Sequence, residues 1–126
     1  MTPFHCTALP EMSMSDYLER FPCSPQCFVV CGIYIDRVLR RHPQLRLSAL
    51  SRHRLAAVAL VISIKFTDDV FYSNTFYAKC AGLSLQELNA LEGRLLRLLD
   101  YRLFVSKSDY CDYEVRLRKY LSALSP

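Results

Sequence analysis

Two stretches of the chain have no polar side. In Phe28-Val29-Val30-Cys31-Gly32-Ile33-Tyr34-Ile35, and again in Leu55-Ala56-Ala57-Val58-Ala59-Leu60-Val61-Ile62-Ser63-Ile64, apolar residues fill nearly every position. That is the pattern of a helix surrounded by other helices. The β-branched run Val61 to Ile64 would also suit a strand, but the alanines and the length of the run favour a helix. Ser24 can cap the first of these helices and Pro25 can occupy its first turn, where a missing N–H is harmless, and the helix reaches about Arg41. Gly32 at its centre marks a close crossing. Ser48 or Ser51 can cap the second, which runs to about Phe66 and is the candidate central helix.

Shorter elements flank these two. Ser13 with Asp16 three residues on opens a short helix that ends ahead of Pro22. Thr67-Asp68-Asp69 then breaks the pattern of the central helix, Asn74 can cap a short helix to Cys80, and Gly82 can close it. Ser84-Leu85-Gln86-Glu87 has capping-box spacing and opens an amphipathic helix to about Leu99. A last helix runs from about Ser108 to Leu121. No strand alternation recurs with hairpin turns, and there is neither an internal repeat nor a biased linker. The expected fold is all-α, one compact domain over residues 1–126 with about six helices packed around the two apolar ones.

Composition narrows the function. With 52% hydrophobic residues and three glycines the chain is not a disordered one, and it has more apolar side chains than a small core hides, which points to a protein partner. The longest apolar run is about half of the roughly 20 residues needed to span a bilayer, and Met1 to Pro10 lacks the pattern of a secretory signal. No membrane association is expected, and the compartment implied is cytosol or nucleus. There Cys6, Cys23, Cys27, Cys31, Cys80 and Cys111 serve as small apolar fillers without disulfides. The formal charge of +4 gathers in Arg37, Arg40, Arg41, Arg46, Arg52 and Arg54, with His42 and His53 among them. Such a cluster could meet nucleic acid or an acidic protein, but solvated helix ends account for it more simply.

Catalytic constellations are lacking. Cys23, Cys27 and Cys31 are spaced by four without two further matched zinc ligands, and the three histidines form no ligand pair. Asp68-Asp69 reads as a solvated helix terminus and not as an acid–base pair, and no glycine-rich loop could cradle a phosphate. No catalytic residue, metal or cofactor is therefore expected, and the domain should fold as a monomer. The informative residues are two charges in apolar surroundings. At about 100° per residue, Leu85, Leu88, Leu95, Leu96 and Leu99 share an arc that contains Glu92. Lys65 continues the Val58 and Val61 row at the end of the central helix. Each has an ordinary account: the Lys65 amine reaches solvent at a helix C-terminus, and Glu92 sits at the arc's edge near Arg94 or Arg97. The sharper reading is that they meet at one edge of the core and offer their remaining hydrogen-bonding capacity to a partner's backbone.

Tyr34-Ile35-Asp36-Arg37, Ser63-Ile64-Lys65-Phe66-Thr67-Asp68-Asp69 and Leu88-Asn89-Ala90-Leu91-Glu92, in that order, resemble helices of the cyclin box. Phe4-His5, Ser15-Asp16-Tyr17-Leu18, His53-Arg54-Leu55 and Tyr77-Ala78-Lys79-Cys80-Ala81-Gly82 are similar to the single-box P- and U-type cyclins, and the likeness covers about residues 4–104. The resemblance implies a non-catalytic regulatory subunit that binds and activates a cyclin-dependent protein kinase. It implies that Lys65 and Glu92 contact the kinase near its movable C-helix, and that Phe66, Leu96, Tyr101 and Leu103 supply the apolar part of the contact. It also implies that Asp36 is a structural charge, matching an aspartate that in the family pairs internally with a basic residue of the preceding helix. The chain departs from the mitotic cyclins between Pro10 and Asp16, where their Met-Arg-Ala-Ile-Leu motif is missing. A nucleic-acid-binding transcription-factor domain of cyclin fold, using the arginine cluster, and a helical scaffold without a kinase are the alternatives.

Overall fold

A computed structural model describes residues 21–124, which form five helices: α1 (Gln26–Arg41), α2 (Ala49–Thr67), α3 (Asn74–Ala81), α4 (Leu85–Leu98) and α5 (Lys107–Leu124). No strand occurs among the described residues. The short helix expected over 13–20, with the Phe4-His5 and Ser15 to Leu18 motifs, lies outside them.

The central helix is α2. Every residue from Leu55 to Ile64 is buried, and α1, α3 and α4 pack around it. Its closest neighbour is α1, and the two meet through small side chains. The Cys31 thiol donates to the Ala56 carbonyl at 3.5 Å, and the Ser63 hydroxyl lies 3.1 Å from the Cys27 carbonyl and 2.7 Å from that of Leu60. Burial pushes the Cys31 thiol up to about 12, so it remains a protonated filler. From α4 and its C-cap the core receives Leu88, Leu91, Leu95 and Leu99, and from α3 Tyr77, Ala78 and Ala81. Each fully buried leucine contributes roughly 1.5–3 kcal/mol. The arc on α4 is rotated from the expected one: Leu91 is inside and Leu85 is 41% exposed. Glu92 and Leu96 consequently fall on the edge of the arc.

Caps fix the helix ends. Ser84 and Glu87 form the expected capping box, and Gly82 closes α3 with φ 72°. Ser48, not Ser51, caps α2, accepting from the Ser51 N–H at 3.1 Å. Two expectations are corrected. Ser73 caps α3 in place of Asn74, accepting from the Phe76 N–H, which frees the Asn74 amide for another role. Ser24 does not cap α1 through its side chain; its hydroxyl and backbone N–H both donate to Asp68, the latter at 3.0 Å. Asp68 is thus a staple between the start of α1 and the end of α2 and not a solvated terminus, whereas Asp69 is exposed.

A second carboxylate staples α4. Glu87 accepts from the Ser84 N–H at 3.2 Å with one oxygen and from the Arg54 guanidinium with the other. Arg54 is only 4% exposed, so it belongs to the core's edge and not to a solvated basic cluster. Three more of that cluster are shared out, whereas Arg46 and Arg52 are exposed. Arg40 pairs with Asp36 at 3.1 Å, Arg41 lies 3.8 Å from Asp100, and Arg37 donates to the Arg102 carbonyl at 2.9 Å. Asp36 pairs one turn on within α1, while the preceding segment, where the family has the basic partner, lies outside the described residues.

The outlying element is α5, which buries no residue completely. It rests on α1 where Tyr113 covers Gly32: a Cβ there would lie 2.5 Å from the Tyr113 hydroxyl oxygen. The close crossing expected at Gly32 is real, and its partner is an aromatic ring. Alanine in a helix interior is more favourable than glycine by about 0.8–1.0 kcal/mol. Gly32→Ala should therefore stabilise a Tyr113→Ala chain by about that amount and the wild-type chain by distinctly less. Denaturant melts of the four chains measure this, and equal gains in both backgrounds would show that Tyr113 exerts no constraint.

The two staples also set the acid response. Burial pushes the Asp68 carboxyl up, but the two Ser24 hydrogen bonds outweigh it and hold it below its ordinary 3.8. Glu87 is held below 4.5 first by the Ser84 N–H, against burial, with Arg54 adding to it. Depressed values mean stability that is complete above the unfolded-state values and lost as pH falls through the folded-state ones. Melting temperature should accordingly decline below about pH 4.5. Asp68→Asn should melt lower at neutral pH and show a shallower acid decline; a decline as steep as wild type would remove Asp68 from the account.

Candidate docking surface

The fold brings Lys65 and Glu92 together. Lys65 occupies the last turn of α2, at the first position after the buried run, and Glu92 stands on the edge of the α4 arc. The ammonium donates to both carboxylate oxygens, at 2.8 Å and 3.2 Å. A second donor group gives Glu92 its third hydrogen bond: the Asn74 amide nitrogen, 3.0 Å from Oε1 and 2.8 Å from the Asn89 side-chain oxygen. One polar clasp therefore ties α2, α3 and α4 together beside the core. Its ion pair is 28% exposed at Lys65 and 16% at Glu92, half in and half out of water, where charges can still be solvated if a partner is lost.

Next to the clasp lies an apolar groove of about 190 Å³ lined by Ile62, Lys65, Phe66, Glu92, Leu96 and Leu103. Five of the six residues proposed from the sequence as a contact surface thus share one depression. Phe66 forms its exposed wall; Leu96 and Leu103 are half-buried. The groove continues past Phe66 and Leu103 into a hollow of about 440 Å³ whose walls include Val30, Tyr34, Val105 and Tyr110. The Tyr34 hydroxyl donates to the Leu103 carbonyl at 2.8 Å and so fixes the strand of chain that forms the groove's far side. Tyr101 is not part of the lining. It projects from the turn after α4, 64% exposed.

Sequence reasoning missed Asn74 and Asn89, reading the first as a cap. The pair Ser73-Asn74 offers two capping residues, and only the position of α4 decides which of them is free. It also missed Ile62, whose place in an all-apolar helix gave no sign of which side faces the groove.

The chemistry on offer is recognition. Glu92 accepts three hydrogen bonds, and the ammonium has a third proton that Glu92 does not take, so the clasp presents a charge-balanced polar edge beside an apolar trough. That combination suits an amphipathic helix laid into a groove. Among the described residues no group of three or more histidine, cysteine, aspartate or glutamate side chains is placed to hold a metal ion, and no helix is long and apolar enough to cross a membrane.

Comparison with known proteins adds an independent line. A family model described as Cyclin matches residues 1–103. The chain is 42% identical over 120 residues to Cyclin-U1-1 of Arabidopsis thaliana, an alignment that covers 92% of this chain and 57% of that protein. It is 42% identical over 122 residues to Cyclin-P3-1 of Oryza sativa subsp. japonica, covering 94% and 51% respectively. With Cyclin-U4-1 of Arabidopsis thaliana the identity is 37% over 127 residues, covering 98% and 63%. The chain spans about half to just under two thirds of the length of these relatives.

Proposed function

The chain belongs to the cyclin family, and from that membership we propose that it binds and activates a cyclin-dependent protein kinase through the groove beside Lys65 and Glu92. Cyclins are regulatory, non-catalytic proteins of cell-cycle control. The observation that supports a kinase-binding role here is the bidentate Lys65–Glu92 pair at the rim of the groove formed by Ile62, Phe66, Leu96 and Leu103.

In this reading the kinase's C-helix lies in the groove, its apolar residues on Phe66, Leu96 and Leu103 and its backbone end on the clasp. Tyr101 meets it from the adjoining turn. Activation is a population shift: the surface binds the kinase with its C-helix inward better than the inactive arrangement, so the free energy of that preference moves the equilibrium. The chain supplies no catalytic group of its own, and the complex acts in the cytosol or nucleus. Four of the six clustered arginines, Arg37, Arg40, Arg41 and Arg54, are paired with Asp109, Asp36, Asp100 and Glu87, which reduces the basic surface open to nucleic acid.

Lys65→Ala and Glu92→Ala should each weaken kinase binding by about 2–5 kcal/mol, the range for removing one member of an interfacial charge pair that becomes buried. The free domain should lose much less stability, since the pair is partly wet before binding. The double variant should lose less than the sum of the singles, and Arg118→Ala should do little. Purification of each tagged variant from the source cells, with the co-purifying kinases identified and their activity assayed, measures the effect beside thermal melts of the free chains. Wild-type recovery of an active cyclin-dependent kinase by both variants, or losses that only follow unfolding, would sink the proposal.

A further inference from the structure

Both α3 and α4 end in the same hydrogen-bonded cap. In α3 the Leu83 N–H returns to the Ala78 carbonyl at 2.8 Å and the Gly82 N–H to that of Lys79 at 3.2 Å; in α4 the Tyr101 N–H returns to Leu96 and the Asp100 N–H to Arg97, each at 2.9 Å. This cap needs one residue with positive φ. In α3 that residue is Gly82, and Leu83 after it has no positive φ. In α4 it is Asp100, with φ 54°, and the next residue, Tyr101, has φ 55° as well. These two are the only non-glycine residues of positive φ among those described. A short polar side chain tolerates that conformation; a bulky aromatic one in it is an outlier, and the cap does not require it.

The Tyr101 side chain is exposed and lines neither the groove nor the hollow beside it, and Leu99, two residues before, is buried. Yet the turn is held from both sides: His42 Nε2 lies 3.0 Å from the Leu98 carbonyl, Arg37 donates to the Arg102 carbonyl, and Tyr34 to that of Leu103. Strain of this kind persists where the surroundings over-determine the backbone.

We propose that Asp100 is a positioning residue of the docking surface: by adopting the left-handed cap it sets the turn that holds Tyr101 outward, and the strain at Tyr101 is compensated by a contact made only in the complex. This rests on the reading that the surface binds a kinase. Asp100 acts through backbone geometry, and its distant ion pairs with Arg41 and Arg102, at 3.8 Å and 3.6 Å, are secondary.

The test measures affinity for the cyclin-dependent kinase that co-purifies with the wild-type chain, and melting of each free variant. Tyr101→Ala should weaken binding about tenfold or more, a scale usual for an aromatic anchor. Asp100→Val, which disfavours the left-handed region, should weaken it similarly, and Asp100→Val combined with Tyr101→Ala should be no worse than the weaker-binding single variant. Asp100→Asn, which removes the charge but tolerates the conformation, should bind as wild type. Free Tyr101→Gly should melt above free Tyr101→Ala by about 2–5 °C. Additive losses in the double variant, binding by Asp100→Asn as weak as by Asp100→Val, or Tyr101→Ala melting at or above Tyr101→Gly would overturn the inference. Normal binding by Tyr101→Ala beside lost binding by Lys65→Ala would overturn it alone, whereas normal binding by both would overturn the docking surface itself.

Discussion

A helix with no polar side is stable only when other elements cover it all round, and α2 imposes that condition on its neighbours. The run from Leu55 to Ile64 is buried throughout, so α1, α3 and α4 must enclose it. The small residues Cys27, Cys31, Ala56 and Ser63 let α1 approach closely enough to do so. The first charge after the run, Lys65, then has no choice but to emerge at the edge of the core. Glu92, on the margin of the α4 arc, is there to meet it. The Lys65–Glu92 edge is in this sense a by-product of where full enclosure of α2 ends.

Three carboxylates manage the boundary between that core and its loops, each through several donors at once. Asp68 takes both donors of Ser24 and joins the start of α1 to the end of α2. Glu87 closes the α4 cap and receives the buried Arg54. Glu92 gathers Lys65 and Asn74. A carboxylate with this many donors has a single preferred geometry, so the ends of α2, α3 and α4 are positioned before any partner arrives. Pre-formed surfaces lose less conformational freedom on binding, so more of any contact energy is kept as affinity.

The local signals in the sequence translated directly into structure. The capping-box spacing of Ser84 and Glu87, the closing Gly82, the two apolar runs and the close crossing at Gly32 all depend on residues a few positions apart or on a single missing side chain. The misread features depend on distant partners. Asp68 looks like a solvated terminus unless Ser24, 44 positions earlier, is known to lie beside it. Arg54 looks like part of a basic cluster unless Glu87, 33 positions on, is in reach. The centre of the α4 arc could not be placed without knowing where α2 lies, which is why Leu85 and Leu91 exchanged roles. The left-handed pair Asp100-Tyr101 carries no sequence mark at all, since the usual mark is a glycine and neither residue is one. For the surface itself, the charge-in-apolar-surroundings argument located Lys65 and Glu92, while the neutral amides that complete the clasp left no such trace.

Hydrogen exchange, followed along the chain alone and in complex with the co-purifying kinase, tests the account most directly. Backbone amides covered by a partner exchange more slowly than those left in water. The account predicts slowing at the end of α2 from about Ile62 to Thr67, in the middle of α4 around Glu92 to Leu96, and through the Asp100 to Val105 turn, with the arginine-rich stretch from Arg40 to Arg52 unchanged. Slowing confined to that stretch, with the Lys65–Glu92 edge exchanging as in the free chain, would contradict it.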